Sequence, residues 1–181
     1  MKSIGLVELK NVSKGIVVTD EMLKSAGVNL ISSGAVCPGK FVTMVGGELS
    51  AIRAAVQRAQ LVSEDAMLDK FIIGNLGDNV YDAVCGTAKV TNKRALGIVE
   101  TFTAASAILA ADAAVKAGDV ELVEVRIATG MGGKCFVTMT GDVADVKAAV
   151  EAGARLAAEQ GYLINTEVIA NPHPELWDAV L

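Results

Sequence analysis

The sequence predicts an α+β protein made of two tandem copies of one β-α-β-β-α-β unit, each ending in a short helix. Two observations support this prediction. Apolar runs of strand length alternate with longer segments in which apolar residues recur at helical spacing. The pattern of the first half then restarts, because Leu96-Gly97-Ile98-Val99-Glu100 repeats Ile4-Gly5-Leu6-Val7-Glu8. This order of elements favours, in each half, a split β-α-β sheet with its helices on one face.

The first half contains four predicted strands and two predicted helices. The strands are Ile4–Leu9, Val28–Ser32, Phe41–Val45 and Phe71–Ile73. The helices are Asn11–Ala26 and Glu48–Val62, with one or two further helical turns at Asn79–Val84. Between the second and third strands, Ser32–Lys40 is predicted to be a loop of small residues that contains Cys37.

Matches at nearly constant spacing extend the repeat along both halves. Lys24 matches Lys116, and Gly39-Lys40 matches Gly133-Lys134 after a small insertion. Phe41–Met44 matches Phe136–Met139 if Cys135 is counted as one extra residue. Because chance does not preserve such an order of matches, the chain is interpreted as a tandem duplication. The predicted first domain is 1–85, the polar linker is 86–94, and the second domain is 95–181.

The composition argues against several classes of protein. The 181 residues carry a net charge of −5 and 16 scattered basic residues, which disfavours a nucleic-acid interface. No segment reaches the roughly 18 uncharged apolar residues that a membrane span requires. Three cysteines without a secretory leader indicate a reduced, cytoplasmic protein. Because 52% of the residues are apolar but only 4% are aromatic, we expect the chain to gain stability by association.

Several motifs resemble the bacterial microcompartment shell domain. They are Gly97–Thr101, Ala110–Lys116, Gly141–Val143 and Lys147–Gly153. The resemblance covers nearly the whole chain, twice, and is to the tandem-domain class of these shell proteins. It implies two ferredoxin-like domains and a homotrimer that imitates the hexamers of single-domain shell proteins. It also implies contacts with neighbouring shell proteins at the edges of each tile.

The run Val36-Cys37-Pro38-Gly39-Lys40-Phe41 resembles the propanediol-utilisation type of tandem shell protein, which carries an iron–sulfur cluster. The residues alone give a weak cluster signal, because the three cysteines lie about fifty residues apart and a lone cysteine is usually a small buried residue. The resemblance implies that Cys37 from each of three chains holds one 4Fe–4S cluster at the threefold axis. Cys85 and Cys135 are not predicted to be ligands.

The resemblance also implies positions for the pore and for the tile edge. Residues in or beside the two loops are expected to line the pore: Ser33, Gly34, Ala35, Val36, Pro38, Gly130, Met131 and Gly132. Lys24 and Lys116 are expected at tile edges, because family members place a lysine there and both repeats keep it. The alternative for these lysines is an ordinary solvated helix surface.

The expected function is structural and not enzymatic. The chain is predicted to form a shell tile of a cytoplasmic microcompartment and to pass electrons across the shell, with enclosed redox enzymes as further partners. Two alternatives are retained: a metabolite-conducting pore without a cofactor, and a trimeric regulatory ligand-binding module. A thiol enzyme is disfavoured, because the single histidine, His173, lies more than a hundred residues from Cys37 and between two prolines. No nucleic-acid or membrane partner is expected.

Overall fold

The computed structural model describes residues 3–127 and 130–180, and it divides into two compact units between Leu76 and Gly77. The elements of the first unit are β1 (Ile4–Leu9), α1 (Val12–Ser25), β2 (Asn29–Val36), β3 (Lys40–Gly46), α2 (Leu49–Ser63) and β4 (Met67–Ile73). A short 3-10 turn at Glu64–Ala66 joins α2 to β4. Within the described ranges, none of the helices has the length and apolarity needed to cross a bilayer.

The second unit repeats this order and adds a helix at each end. Its elements are α3 (Val80–Val84), β5 (Ala95–Thr101), α4 (Ala104–Ala117), β6 (Val120–Arg126), β7 (Cys135–Gly141), α5 (Val143–Glu159), β8 (Leu163–Ile169) and α6 (Pro174–Val180). Both sheets are antiparallel, with strand order β2-β3-β1-β4 in the first unit and β6-β7-β5-β8 in the second. The predicted α+β class and the predicted element order are therefore confirmed.

Helix α3 belongs by sequence to the end of the first repeat but clusters with the second unit. It packs against β6 and α4. The boundary between the two compact units therefore lies between residues 76 and 77. The domain boundary at residue 85, which marks the end of the first sequence repeat, stays a prediction.

A repeated glycine lets the second helix of each unit lie close to the first strand. A β-carbon added at Gly5 would lie 2.6 Å from Cγ2 of Ile52, and one added at Gly97 would lie 2.7 Å from Cγ1 of Val146. Both distances are too short for a real contact, so only glycine fits there. The helices cover one face of each sheet, and in the first unit the core between them is built from Val7, Leu9, Val18, Met22, Val45, Ile52 and Val56.

Strand β2 occupies most of the segment that the sequence predicted to be a loop. It runs to Val36, and its ladder with β3 pairs Ser33 with Thr43, Gly34 with Val42 and Ala35 with Phe41. The loop prediction was wrong for Ser32–Val36, because pairing with β3 outweighs the low strand propensity of small residues. The connection between the two strands is Cys37, Pro38 and Gly39.

The strand register also corrects the alignment of the two repeats around Cys135. In the first sheet Glu8 pairs with Val42 and Leu9 with Phe41. In the second sheet Glu100 pairs with Phe136 and Thr101 with Cys135. Because Glu8 and Glu100 are equivalent, Cys135 takes the place of Phe41 and Phe136 takes that of Val42. The match of Phe41–Met44 with Phe136–Met139 was therefore wrong by one residue, and Cys135 is not an extra residue.

An ion pair joins the first strand of each unit to the start of its third strand. In the first unit, Nζ of Lys40 lies 2.8 Å from Oε1 of Glu8, whose side chain is only 5% exposed. The second oxygen of Glu8, Oε2, is buried and has no hydrogen-bond partner among the described residues. The equivalent pair in the second unit, Lys134 with Glu100, is longer at 3.7 Å and more exposed. Lys40 therefore compensates the buried charge of Glu8, whereas Lys134 lies near the charge of Glu100, which water already solvates.

The join between the repeats is held by a carboxylate on β6. Glu121 accepts hydrogen bonds from the hydroxyl of Thr91, from the N–H of Thr91 at 2.7 Å and from the N–H of Asn92 at 3.2 Å. The hydrogen bond from the Thr91 hydroxyl is the main cause that lowers the pKa of Glu121, whereas partial burial raises that pKa. These bonds favour the ionised form, so they stabilise the join only while Glu121 is charged.

Replacing Lys40 tests the buried ion pair. We expect Lys40→Met to lower the free energy of unfolding by about 2 kcal/mol, because Glu8 would keep a buried charge without its cation. Urea unfolding followed by circular dichroism at a fixed protein concentration measures this loss. The matched control is Lys134→Met, for which we expect a loss under about 0.5 kcal/mol. Equal losses in the two variants would contradict the difference in burial.

The second prediction concerns pH. Because the pKa of Glu121 is lower in the folded chain than in the unfolded chain, its contribution is complete above the unfolded value of about 4.3 and is lost as the pH falls through the folded pKa. We therefore expect Thr91→Val, which removes the main hydrogen bond, to move the NMR titration midpoint of Glu121 upward. We also expect it to lower stability at pH 7 by about 0.5–1 kcal/mol, a difference that shrinks below about pH 4. An unchanged midpoint would show that Thr91 does not hold this carboxylate.

Candidate functional site

Cys37 lies at the tip of the hairpin formed by β2 and β3. The last ladder pair joins Val36 to Lys40, so the thiol follows the end of the paired region directly. The N–H of Gly39 donates to the carbonyl of Val36 at 3.0 Å and closes the turn. The peptide bond between Cys37 and Pro38 is cis. The side chain of Cys37 is partly exposed, so a partner that approaches the tip can reach its sulfur.

Gly39 is needed at this turn for its backbone conformation and not for space. Its φ is +88°, in the region that favours glycine, whereas a β-carbon added there would meet no described atom within 4 Å. Pro38 fixes its own φ, and the turn therefore has few alternative conformations. Together the two residues hold Cys37 at a defined position next to the end of the sheet.

The residues predicted to line a pore beside Cys37 lie on β2 and on the tip. Ser33 and Ala35 are exposed, Gly34 and Val36 are half-buried, and Pro38 is exposed at the turn. The hydroxyl of Ser33 lies 3.3 Å from the hydroxyls of both Thr19 and Thr43, which directs it towards α1. Ser33 therefore contributes to packing within the unit, and a role in a pore stays a prediction for all five residues.

The second unit has a different loop at the equivalent position. Gly130, Gly132 and Gly133 have φ values of +73°, +64° and +93°, and Met131 between them is half-buried. The N–H of Lys134 donates to the carbonyl of Met131 at 3.2 Å and closes the loop before β7. This glycine-rich loop carries backbone groups and one thioether but no thiol, so of these two loops only the hairpin tip of the first unit offers a thiolate ligand.

The three cysteines lie in three different environments. Cys37 is partly exposed, Cys85 is exposed at the end of α3, and Cys135 is buried in β7. Residues 3–127 and 130–180 contain no group of three or more His, Cys, Asp or Glu side chains placed to hold a metal ion. Within this part of the chain, Cys37 is therefore an isolated ligand, and a complete cluster site requires donors from other chains.

The two predicted edge lysines occupy equivalent places near the ends of α1 and α4. Nζ of Lys24 lies 2.5 Å from Oδ2 of Asp20, and Nζ of Lys116 lies 2.6 Å from Oδ2 of Asp112. The hydrogen bond to Asp20 raises the pKa of Lys24, so this amine stays charged at neutral pH. Asp112 also accepts the N–H of Gly77 at 2.8 Å. Each lysine is thus held by an aspartate one helical turn earlier, and its place at a tile edge stays a prediction.

One site was missed by the sequence reasoning. A cavity of about 420 Å³ lies in the second unit, and its polar wall consists of Glu124, Arg126 and Thr138 together with the ring of Phe136. The sequence does not reveal this cavity, because its wall depends on pairing between two strands: Glu124 pairs with Thr138, and Arg126 pairs with Phe136. The paired residues lie on different strands and are separated in sequence. Because the repeat alignment was wrong by one residue on β7, it also did not show that the first unit has different residues at the equivalent positions.

Comparison with known proteins identifies the domain that is repeated. The model of the BMC domain matches residues 3–76 and 95–172. The chain is 42% identical to the bacterial microcompartment shell protein PduT of Citrobacter freundii over 176 residues, which cover 97% of this chain and 96% of that protein. It is 45% identical over 82 residues to the shell protein EutM of Salmonella typhimurium, covering 45% of this chain and 83% of that protein.

A solved structure agrees with these sequence matches. A microcompartment protein from Desulfitobacterium hafniense DCB superposes with a TM-score of 0.93 at 45% identity, covering 98% of this chain and 99% of that one. The fold is thus shared over both units and not only over one repeat. The chain belongs to the BMC-domain family and is a bacterial microcompartment shell protein of the PduT type, with two BMC domains in tandem.

Proposed function

We propose that three copies of this chain form one shell tile, in which the hairpin tips that carry Cys37 meet near the threefold axis. The observation that carries the proposal is the position of Cys37: a partly exposed thiol at the tip of a rigid hairpin, in a chain without a complete metal site of its own within the described residues. A cyclic trimer places three equivalent copies of any such group around one axis.

The donor chemistry fits a 4Fe–4S cluster with three protein ligands. Cys37 from each chain would supply one thiolate, and a small molecule or water would complete the fourth position. When bound, such a cluster supplies one-electron transfer. The chain's own contribution is to hold the sulfur: Pro38 restricts the turn, Gly39 adopts the positive φ that the turn needs, and the pairing of Val36 with Lys40 fixes where the turn begins.

The proposed role of this site is electron transfer across the shell, with redox enzymes enclosed by the shell as partners. Under this proposal Val36 and Pro38 lie next to the cluster, and Gly34 and Ala35 let neighbouring copies of β2 approach the axis. The loop with Gly130, Met131 and Gly132 would surround the same opening from the second unit of each chain. Under this proposal the role of the chain is structural and not enzymatic.

A second candidate is a pore for metabolites without a cofactor. It is favoured by the small side chains along β2, which leave an opening near the axis without any need for a metal. The two candidates differ in whether Cys37 binds iron, so metal analysis separates them.

Iron binding tests the cluster. After anaerobic reconstitution with iron and sulfide, we expect about four iron atoms per three chains, a brown colour and an electron paramagnetic resonance signal on reduction. Cys37→Ser should lose nearly all of this iron, because serine replaces the thiolate in all three chains. The matched control, Cys85→Ser, should keep it, since Cys85 is at the end of α3 and is not part of the hairpin.

Native mass spectrometry on every variant shows whether the trimer is intact, so that loss of iron is not confused with loss of assembly. An iron-free wild-type trimer after reconstitution would refute the cluster and leave the cofactor-free pore. Monomeric wild-type protein would refute the trimer itself.

Assembly tests the edge lysines. We expect Lys24→Ala to raise the protein concentration needed for sheet formation about fivefold, because each copy loses one contact at the tile edge. Electron microscopy and light scattering of a dilution series measure that concentration. Asp20→Asn is the control, because it removes the negative charge that pairs with Lys24 within α1 but leaves the amine of Lys24 in place. If Asp20→Asn weakens assembly as much as Lys24→Ala, the lysine acts only within its own helix.

A further inference from the structure

The cavity of the second unit is built from two cross-strand pairs and a small apolar wall. Its volume of about 420 Å³ lies within the range of small-molecule pockets. Glu124 and Arg126 come from β6, and Phe136 and Thr138 come from β7. The apolar wall is formed by Ala88, Val123 and Ala179.

Thr138 gives this cavity an unused polar group. The residue is 94% buried, because its relative exposure is 6%. Its hydroxyl has no hydrogen-bond partner within the part of the chain that the structure describes. Burying a hydroxyl without a partner is unfavourable, so a group that bonds to it stabilises the folded chain. Since Thr138 lines the cavity, a molecule bound there can supply that partner once the hydroxyl turns towards it.

The charges on the wall of the cavity neutralise each other. Nε and Nη2 of Arg126 both lie 2.7 Å from Oε1 of Glu124. This leaves the Nη1 group of the guanidinium as a donor and the other carboxylate oxygen as an acceptor. The guanidinium lies 5.6 Å from the centre of the Phe136 ring, so Arg126 covers that ring and a ligand cannot stack on the same face. The site therefore offers donors and acceptors side by side without a net charge.

The first unit lacks all of these groups at the equivalent positions. By the strand register, Gly34 and Ser32 stand where the second unit has Arg126 and Glu124, since they pair with Val42 and Met44. Val42 and Met44 in turn replace Phe136 and Thr138. The scaffold thus does not require the ion pair, the ring or the buried hydroxyl, because the first unit forms the same sheet without them.

We propose that this cavity binds a small uncharged molecule with an aliphatic tail and an end group that both donates and accepts hydrogen bonds, such as an alcohol or a primary amide. The end group bonds to Thr138 and to the Glu124–Arg126 pair, and the tail packs on the apolar wall. An ionised end group, carboxylate or ammonium, would lose its hydration on entering the cavity, and the neutral Glu124–Arg126 pair offers no net charge to offset that loss. The cavity lies within the second unit and does not involve Cys37, so this proposal is independent of the cluster.

Three probes with the same chain and different end groups test the charge argument. They are pentanamide, pentanoate and pentylammonium, added to the full-length protein while the methyl signals of Thr138 and Val123 are followed by NMR. We expect saturable shifts with pentanamide, with Kd in the millimolar range that such small probes reach. We expect at least about tenfold weaker binding of pentanoate and pentylammonium. Equal binding of a charged probe, or no saturable shift with pentanamide, would overturn the proposal.

Two variants separate binding from folding. Thr138→Val is isosteric and removes only a hydroxyl that has no partner within the described residues, so we expect it to keep or raise the melting temperature. The same variant should weaken the binding of pentanamide about tenfold, observed at the Val123 methyl. Thr166→Val on β8 is the control and should leave binding unchanged. If Thr138→Val binds pentanamide as tightly as the wild type, the hydroxyl is not the ligand's partner and the proposal fails.

Discussion

The register of β3 between β1 and β2 is the constraint on which the first unit depends. β3 is paired with β2 from Lys40 to Gly46 and with β1 from Phe41 to Gly46. Because side chains alternate along a strand, this register sends Phe41, Thr43 and Val45 towards the helices and leaves Lys40 beside Glu8 on the opposite face. The same register ends the pairing at Val36 and so places Cys37 at the tip. A slip of one residue would bury the Lys40 side chain under the helices and would displace the thiol.

Much of this fold could be predicted from the sequence, because strong periodicity determines an element locally. Ile4–Leu9 is a strand as predicted, and α2 differs from its predicted bounds by one residue at each end. The errors arose where pairing with another strand decides the outcome. Ser32–Val36 has small residues and little local preference, and only its ladder with β3 makes it a strand. The alignment at Cys135 failed for the same reason, since a local run of similar letters competed with a register that only hydrogen bonds define.

The candidate site shows the same difference between features that a local sequence pattern predicts and features that depend on strand pairing. A local motif, the cysteine followed by proline and glycine, was sufficient to single out Cys37 and the turn that holds it. The cavity at Thr138 could not be found this way, because its wall is assembled from pairs on two strands and from the join between the repeats. The duplicated units have thus diverged in complementary ways. The first unit has a thiol at its tip and a buried ion pair, whereas the second has a glycine-rich loop and a polar cavity.

The proposed use of one ligand cysteine per chain would have a consequence for cells that contain both intact and damaged copies. If three chains complete one site, the proportion of complete sites follows the cube of the proportion of intact chains. When half of the chains carry an oxidised or mutated Cys37, only on the order of one eighth of randomly mixed trimers would retain all three thiolates. Damage at this residue would therefore be dominant in its effect, and the turnover of old tiles would matter more to the site than the stability of any one chain.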